Sequence, residues 1–480
     1  MKKILFFSFL FFVSVKVFSQ QFSQYNTGTL YDSFENPSQR SFIPDSSRQY
    51  ASNFFLPNFN SNLQFSGDAQ TALKTRIFSG IYDASAVPVD VGHNNYLRAN
   101  ASAYLLMFKV FTSLQGSQEL GFFLKTSTES RGILSNESFA IFNGYDKFAN
   151  NSYSNIFNNR FFYQAYHQFG MNYREQVTPK LALGAKLSLL SGIDYQKYSF
   201  FQSQIDFDKA NNQALLSLSG VAQLAGSDNR NSLLQKSGLD FRNPGVAISI
   251  GAAYKTDDAY KFQFNIKDLG VIHWSNTYSR VFTFEQQTVI PVSSNFASEN
   301  TISDEIGGQI RQAPAARGFY VPINGIIEAS VNKSYWINSN QTLKFSPTVI
   351  VAKEIFYPGL TGALVAPVQY DKYVVTLTSS YNDLKMLGLG GQFMIKTPNT
   401  DFYIGSDALL QTAKIIKSAI PAIYTPGPQG RYTGATFFIG FAIKFGNLIE
   451  HPMNASFIPM GEKGFLGRLY DKIFKKDKNY

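Results

Sequence analysis

Strict period-two alternation is the feature that most constrains what this chain can fold into. In ATFFIGFAIKFG (435–446), Phe437, Ile439, Phe441, Ile443 and Phe445 form one set, and Phe438, Gly440, Ala442 and Lys444 form the other. Successive side chains of a strand point to opposite faces, so one face is wholly apolar and the other mostly small, with one charge. The pattern returns in RFFYQAYHQFGMNYR (160–174), LALGAKLSLL (181–190), YKFQFNIKD (260–268) and TLKFSPTVIVAK (342–353). In these segments the polar face carries Lys, Gln, Asn, Arg or Gly in mid-strand. A soluble sandwich turns such a face to bulk water. A membrane barrel turns the apolar face to lipid and the polar face to its interior. Periodicity alone does not separate the two.

Other features favour the barrel. Tight turns are expected at 178–180, 256–258, 338–341 and 397–400, whereas long polar stretches lie near 206–240 and 289–315. Short turns on one side and long loops on the other are the outer-membrane pattern. Tyr173, Tyr254, Tyr260, Tyr335, Trp336 and Phe402 cluster near the tight turns, where an interfacial girdle belongs. The strands are longer than the five or six residues usual in soluble sheets. Aromatic content is 16% and charged content only 16%, against roughly 25% charged in soluble domains. The expectation is an all-β fold: a transmembrane antiparallel β-barrel of 14 strands. These are placed at 48–67, 96–112, 118–128, 158–177, 181–205, 241–255, 259–288, 316–335, 342–354, 359–366, 372–380, 385–396, 401–410 and 431–446.

The ends suggest the domain plan. MKKILFFSFLFFVSVKVFSQ has two leading lysines, an apolar run from Ile4 to Val13, and small residues before a cleavage point after Ser19. That is the form of a secretory signal peptide, too short to span a bilayer. The plan is therefore a signal peptide (1–19), an N-terminal periplasmic or plug segment (20–47), the barrel (48–446) and a basic amphipathic tail (447–480). Short helices are expected at 69–79 and 134–143, in outer loops or folded inward, and a capped helix at 301–313. In the tail, Phe465, Leu466, Leu469 and Ile473 share a helical face beside Arg468, Lys472 and Lys475. Such a face rests on a membrane surface or a partner, or is simply a solubilising end.

Little in the sequence points to catalysis. There is no cysteine, hence no thiolate nucleophile or metal site, and the four histidines are scattered. No Gly-x-Ser-x-Gly elbow is present, and LGLGGQ (387–392) lacks phosphate-loop spacing and a following lysine. No enzyme activity, cofactor, metal or nucleic-acid partner is expected. The inward row is read as Gln164, Gln168, Asn172, Arg174, Lys186, Lys261, Gln263, Lys267 and Lys344. This row either favours anionic or polar solutes or fills a plugged interior, and the available plug helices favour the second. Asp268 is assigned to a loop or bulge, with a solvated rim as its bland reading.

QFSQYNTGTLYDSFENPSQRSFIPDSSRQYASNFFLPNFN (21–60), NIKDLGVIHW (265–274) and the run from FYPGLTGAL (356–364) through YNDLKMLGLGGQF (381–393) to DFYIGSDALL (401–410) carry a resemblance. They resemble an uncharacterised family of Bacteroidota outer-membrane proteins, a domain of unknown function. That family is similar to FadL-like long-chain fatty acid transporter barrels and to the PorV and PorP/SprF barrels of type IX secretion. The resemblance implies 14 strands and two functions. One is passive passage of small or hydrophobic solutes. The other is an accessory role in a secretion or gliding-type surface machine, with a partner held by the tail. The last strand also resembles the signal read by the barrel-assembly machinery, at Gly440, Ile443 and Phe445. The implied location is the cell outer membrane, with its lipid as the first partner.

Overall fold

The computed structural model describes residues 22–43, 47–79, 82–112, 117–226, 241–292, 307–308, 314–418, 432–449 and 463–474. The expected signal peptide lies outside these residues, as does the expected helix at 301–313 apart from 307–308.

The strands, in chain order, are β1 (Arg48–Ser52), β2 (Asn58–Ser66), β3 (Asn94–Phe111), β4 (Gln118–Ser135), β5 (Ser152–Ser154), β6 (Arg160–Gln176), β7 (Leu181–Asp208), β8 (Gln213–Gly226), β9 (Pro244–Lys255), β10 (Tyr260–Trp274) and β11 (Ser279–Pro291). They continue with β12 (Ala315–Ala316), β13 (Phe319–Pro322), β14 (Ile326–Lys333), β15 (Tyr335–Trp336), β16 (Leu343–Phe345), β17 (Thr348–Glu354), β18 (Leu360–Tyr370), β19 (Tyr373–Asn382), β20 (Leu387–Lys396), β21 (Thr400–Ser406) and β22 (Tyr432–Leu448). The helices are α1 (Leu30–Glu35), α2 (Gln70–Ser79), α3 (Glu137–Ala140), α4 (Leu409–Ser418) and α5 (Phe465–Phe474).

Every wall pairing is antiparallel, and the wall closes where β22 pairs with β1 and β2. The result is a closed 14-stranded barrel. Closure leaves no edge strand, which is what a sheet in hydrocarbon requires. One wall strand is split into β1 and β2, and another into β13 and β14. The apolar face of the alternating segments points outward: Phe169, Met171, Leu187, Leu189, Val246, Ile250, Phe262, Phe264, Val349 and Val351 are all exposed. Their neighbours Gln168, Asn172, Lys186, Ser249, Gln263 and Thr348 are buried inside. In the opening segment, Phe437 is exposed and Phe438 fully buried. The apolar face of such a wall meets lipid.

The strands depart from the expected pattern at 259–288 and near 206–240. The expected single strand at 259–288 is two, β10 and β11, separated by the turn 275–278, where Tyr278 N donates to Ser275 O at 3.0 Å. The stretch near 206–240, expected as a loop, contains β8. Both arise because β7 outgrows the wall: residues 181–191 pair with β9 and residues 194–208 pair with β8. β8 then pairs with β11, extending the sheet beyond the long-loop end. Ile205, Phe207, Leu216, Leu218, Phe282 and Phe284 form a separate core there with Phe148, Tyr153 and Phe157. The alternation in β8 and β11 is real, but it faces this cap rather than lipid. Trp336 also departs from the expected girdle. It pairs with Lys344, which pairs with Gln369, on the inward register at the short-turn mouth.

Candidate functional site

The lumen is occupied. Residues 22–42 run through it, from the level of Asp407 down to the short-turn end. Phe22 N and Ser23 Oγ donate to the Asp407 carboxylate at 3.0 and 2.6 Å. Thr29 caps α1, accepting from Asp32 N at 3.2 Å, as a threonine N-cap does. Asn36 Oδ1 then accepts from Ser38 N at 3.0 Å and Ser38 Oγ at 2.8 Å, an Asx turn through Pro37. Leu30, Phe34 and Phe42 are fully buried and pack on Tyr104, Met107, Phe111, Phe123 and Phe438 of the wall. Full burial of side chains this size is worth about 1.5–3 kcal/mol each.

Glu35, at the end of α1, is the electrostatic centre. Its carboxylate accepts from Lys125 Nζ at 2.8 Å, Tyr104 OH at 2.7 Å and, through Oε2, Lys267 Nζ at 2.9 Å. Lys267 also reaches Glu328 at 3.1 Å. Asp268 holds Lys186 at 2.9 Å and accepts from Gln168 at 3.0 Å. Below them Lys109 and Glu119 pair at 3.1 Å, and Ser41 Oγ donates to Glu119 at 2.9 Å. Each charge has an opposite partner, as charges removed from bulk water require.

The inward row assigned from sequence divides three ways. Asn172 donates to Ser33 O at 2.7 Å, Arg174 Nε to Ser38 O at 3.0 Å, and Lys261 Nζ to Gln39 Oε1 at 2.6 Å; with Lys267 these touch the plug directly. Gln164, Gln168, Lys186 and Gln263 bond wall partners, Gln164 to Glu129 at 2.8 Å and Gln263 to Ser330 at 2.9 Å. Lys344 stays at the mouth, 5.7 Å from the centre of the Trp336 ring. Sequence reading missed Lys109, Glu119, Lys125, Glu328 and the partner role of Glu35. Two of the wall residues were within reach of the same alternation, since Lys109 sits between Phe108 and Val110 and Glu328 between Ile327 and Ala329.

Asp268 stands at a bulge, with φ of 51° and a register shift against β9 between Ile266 and Leu269. It is not a solvated rim residue, being 8% exposed and directed at Lys186. The bulge coincides with a break in the strand pairing, across which the register is kept and the wall stays closed. β10 pairs with β14 up to Lys267–Ile326 and resumes with β13 at Val271–Pro322. Between them, 268–270 face 323–325, bridged by Ile323 N donating to Gly270 O at 3.1 Å. On the other side, Gly325 O accepts from Ile355 N at 2.8 Å and continues the β14–β17 register. Inside this break lies an apolar cluster of Ile272, Trp274, Ile323, Tyr195, Leu190 and Phe162. Beside it, on the outer surface of β7, β9 and β10, lies a shallow hollow of about 420 Å³ lined by Leu187, Val246, Ile248, Leu269, Val271 and Phe356.

The putting-together of strand β22 bears on the expected assembly signal. Ile443 pairs with Ser52 and Thr400, and Phe445 stacks on Tyr50 with ring centres 5.5 Å apart. Gly440 lies under Tyr403, whose ring stands 2.2 Å from where a Cβ would be. Packing therefore requires that glycine independently of any signal. Among the described residues, no group of three or more His, Asp or Glu is placed to hold a metal ion.

A closed wall, an apolar belt and a salt-bridged interior plug define an outer-membrane-type β-barrel. The chain belongs to the Family of unknown function (DUF5723), matched over residues 41–407. No curated protein matches it. Solved structures to which it is similar include the Ralstonia pickettii toluene transporter TbuX, at 11% identity and TM-score 0.40 over 86% of this chain and 92% of that one. The Pseudomonas putida toluene transporter TodX is similar at 9% identity and TM-score 0.34 over 89% and 94%. The translocator domain of the autotransporter NalP from Neisseria meningitidis is similar at 7% identity and TM-score 0.31 over 84% and 90%.

Proposed function

We propose that the protein is a passage barrel of the outer membrane, exported by a cleaved N-terminal signal, with its short-turn end in the periplasm. It admits small apolar or amphiphilic solutes from the long-loop side and releases them sideways through the wall. The observation that carries this reading is the break in pairing between β10 and β13–β14. It sets the interior cluster around Trp274 and Ile323 beside the lipid-facing hollow at Leu269 and Val271. The plug below closes the axial route, leaving the apolar route lateral. The test is uptake of the neutral probe N-phenylnaphthylamine by vesicles holding the full-length barrel. Wild-type protein accelerates uptake and Val271→Trp, which fills the hollow, slows it. Equal rates in wild type, variant and empty vesicles contradict the reading.

A second reading is favoured by the filled short-turn half of the lumen: a non-transport accessory barrel of a type IX secretion or gliding-type machine. It predicts partners that co-purify with the full chain and are lost on deletion of 447–480.

A further inference from the structure

We infer that α5 is a membrane-interface helix, clamped to the outside of the barrel at its short-turn rim, whose apolar face enters the adjoining phospholipid leaflet. The placement follows from β6. Asn172 and Arg174 bond the plug and so point inward. Phe169 and Met171 are exposed, so Tyr173 and Glu175, on their register, point outward. Glu175 is nonetheless only 2% exposed, because α5 covers it. Its two carboxylate oxygens accept from Leu466 N and Gly467 N, each at 2.9 Å, and Tyr173 OH donates to it at 2.9 Å. A carboxylate on the first turn is also favoured by the helix dipole.

The approach is close by construction. A Cβ at Gly464 would stand 2.4 Å from Gln118 Nε2, and one at Gly467 would stand 2.6 Å from Glu175 Oε1. Held this way, α5 leaves Phe465, Leu469 and Ile473 on one face, 65%, 43% and 62% exposed. Arg468 and Lys472, also exposed, flank that face with positive charge suited to lipid phosphates.

The occupant is set by continuity. Gln118 pairs with Glu175, and four residues up the wall Phe122 pairs with Met171. At about 3.4 Å per residue along a strand tilted by about 40°, the exposed apolar belt begins roughly 10 Å above the clamp. An amphipathic helix at that level sinks its apolar face about 5–10 Å into the headgroup boundary. This stands whatever passes through the lumen.

The natural chain has no cysteine, so single labels are unambiguous. Leu469→Cys and Lys472→Cys variants of the full chain, each shown to be folded by its gel shift on heating, carry an environment-sensitive fluorophore. They are reconstituted into vesicles of phosphatidylethanolamine with a minority of phosphatidylglycerol. Acyl-brominated phospholipid is expected to quench the 469 label and spare the 472 label, with aqueous iodide doing the reverse. Iodide quenching both labels equally would show a solvated face and overturn the inference. A 469 label shielded from both quenchers would overturn it in favour of a protein occupant, a second copy or a periplasmic partner.

Discussion

Gly184 of β7 and Gly251 of β9 face each other in register, and the Asn36–Pro37–Ser38 turn of the plug occupies the space their side chains would take. A Cβ on Gly184 would stand 2.0 Å from Pro37 O, and one on Gly251 would stand 2.6 Å from Asn36 Oδ1. The two glycines are the seat of the plug. The wall itself needs neither of them, since both lie within regular antiparallel pairing.

Gly184→Val is therefore expected to unseat residues 36–38 while leaving the wall closed. Protease added from the short-turn side should cut within 30–42 in the variant and not in the wild type. Single-channel conductance in planar bilayers should rise. A variant that keeps wild-type protection and conductance would show that the turn does not depend on this seat.

Removing Glu35 leaves Lys125 only the more distant Asp268 carboxylate, 3.9 Å away, and weakens the hold on Lys267. Glu35→Ala should lose about 3–5 kcal/mol, the usual cost of orphaning a buried charge. Replacing Lys125 as well, by methionine, should recover part of that loss. The coupling in the double-mutant cycle should exceed about 1 kcal/mol, because the pair is in direct contact. Unfolding in denaturant followed by fluorescence of the buried Trp274 reads all four corners of the cycle.

The last strand separates packing from signalling. Gly440→Ala must displace Tyr403, so it should destabilise the purified, refolded barrel. Phe445→Ala removes only a half-buried ring stacked on Tyr50 and tilted against Phe54. It should leave refolding in detergent nearly unchanged, yet lower the amount of folded protein reaching the outer membrane in cells. Equal cellular yields of wild type and Phe445→Ala would remove Phe445 from the assembly signal.

The long-loop end should resist moderate acid. Asn136 Nδ2 donates to Asp68 at 2.7 Å and holds its carboxyl below the usual range, with His93 Nδ1 3.0 Å away adding to this. A carboxyl lowered on folding contributes stability that is present above its unfolded value of about 3.9 and is lost as pH falls through the folded one. Hydrogen-exchange protection over 82–93, corrected for the intrinsic rate at each pH, should hold down to about pH 4 and fall below that. Asp68→Asn should exchange faster near neutrality and lose the acid step.

Alternation made most of the wall legible because its cause is local: each residue's face follows from its neighbour's. It also exposed Gln164, Gln168, Asn172, Arg174 and Lys186 as one row. It misread 259–288 because the turn at Ser275–Tyr278 is as polar as the strand faces around it. The stretch near 206–240 reads as a polar loop although Ala214, Leu216 and Leu218 alternate within it; that their face meets a cap core is set by strands distant in the chain. The partners of Glu35 were not legible, since Lys125 and Lys267 meet it only once the plug has threaded the lumen. Asn36-Pro37 stood out in the sequence, but its seat is made by two glycines 67 residues apart in the chain, at 184 and 251.

A closed wall in lipid is read most directly by the electrophoretic mobility of the outer-membrane fraction, unheated against boiled. The full-length chain should reside in that fraction and migrate differently once boiling opens the barrel. A chain found in the soluble fraction with identical mobility before and after heating would contradict the wall, the plug and the lateral route together.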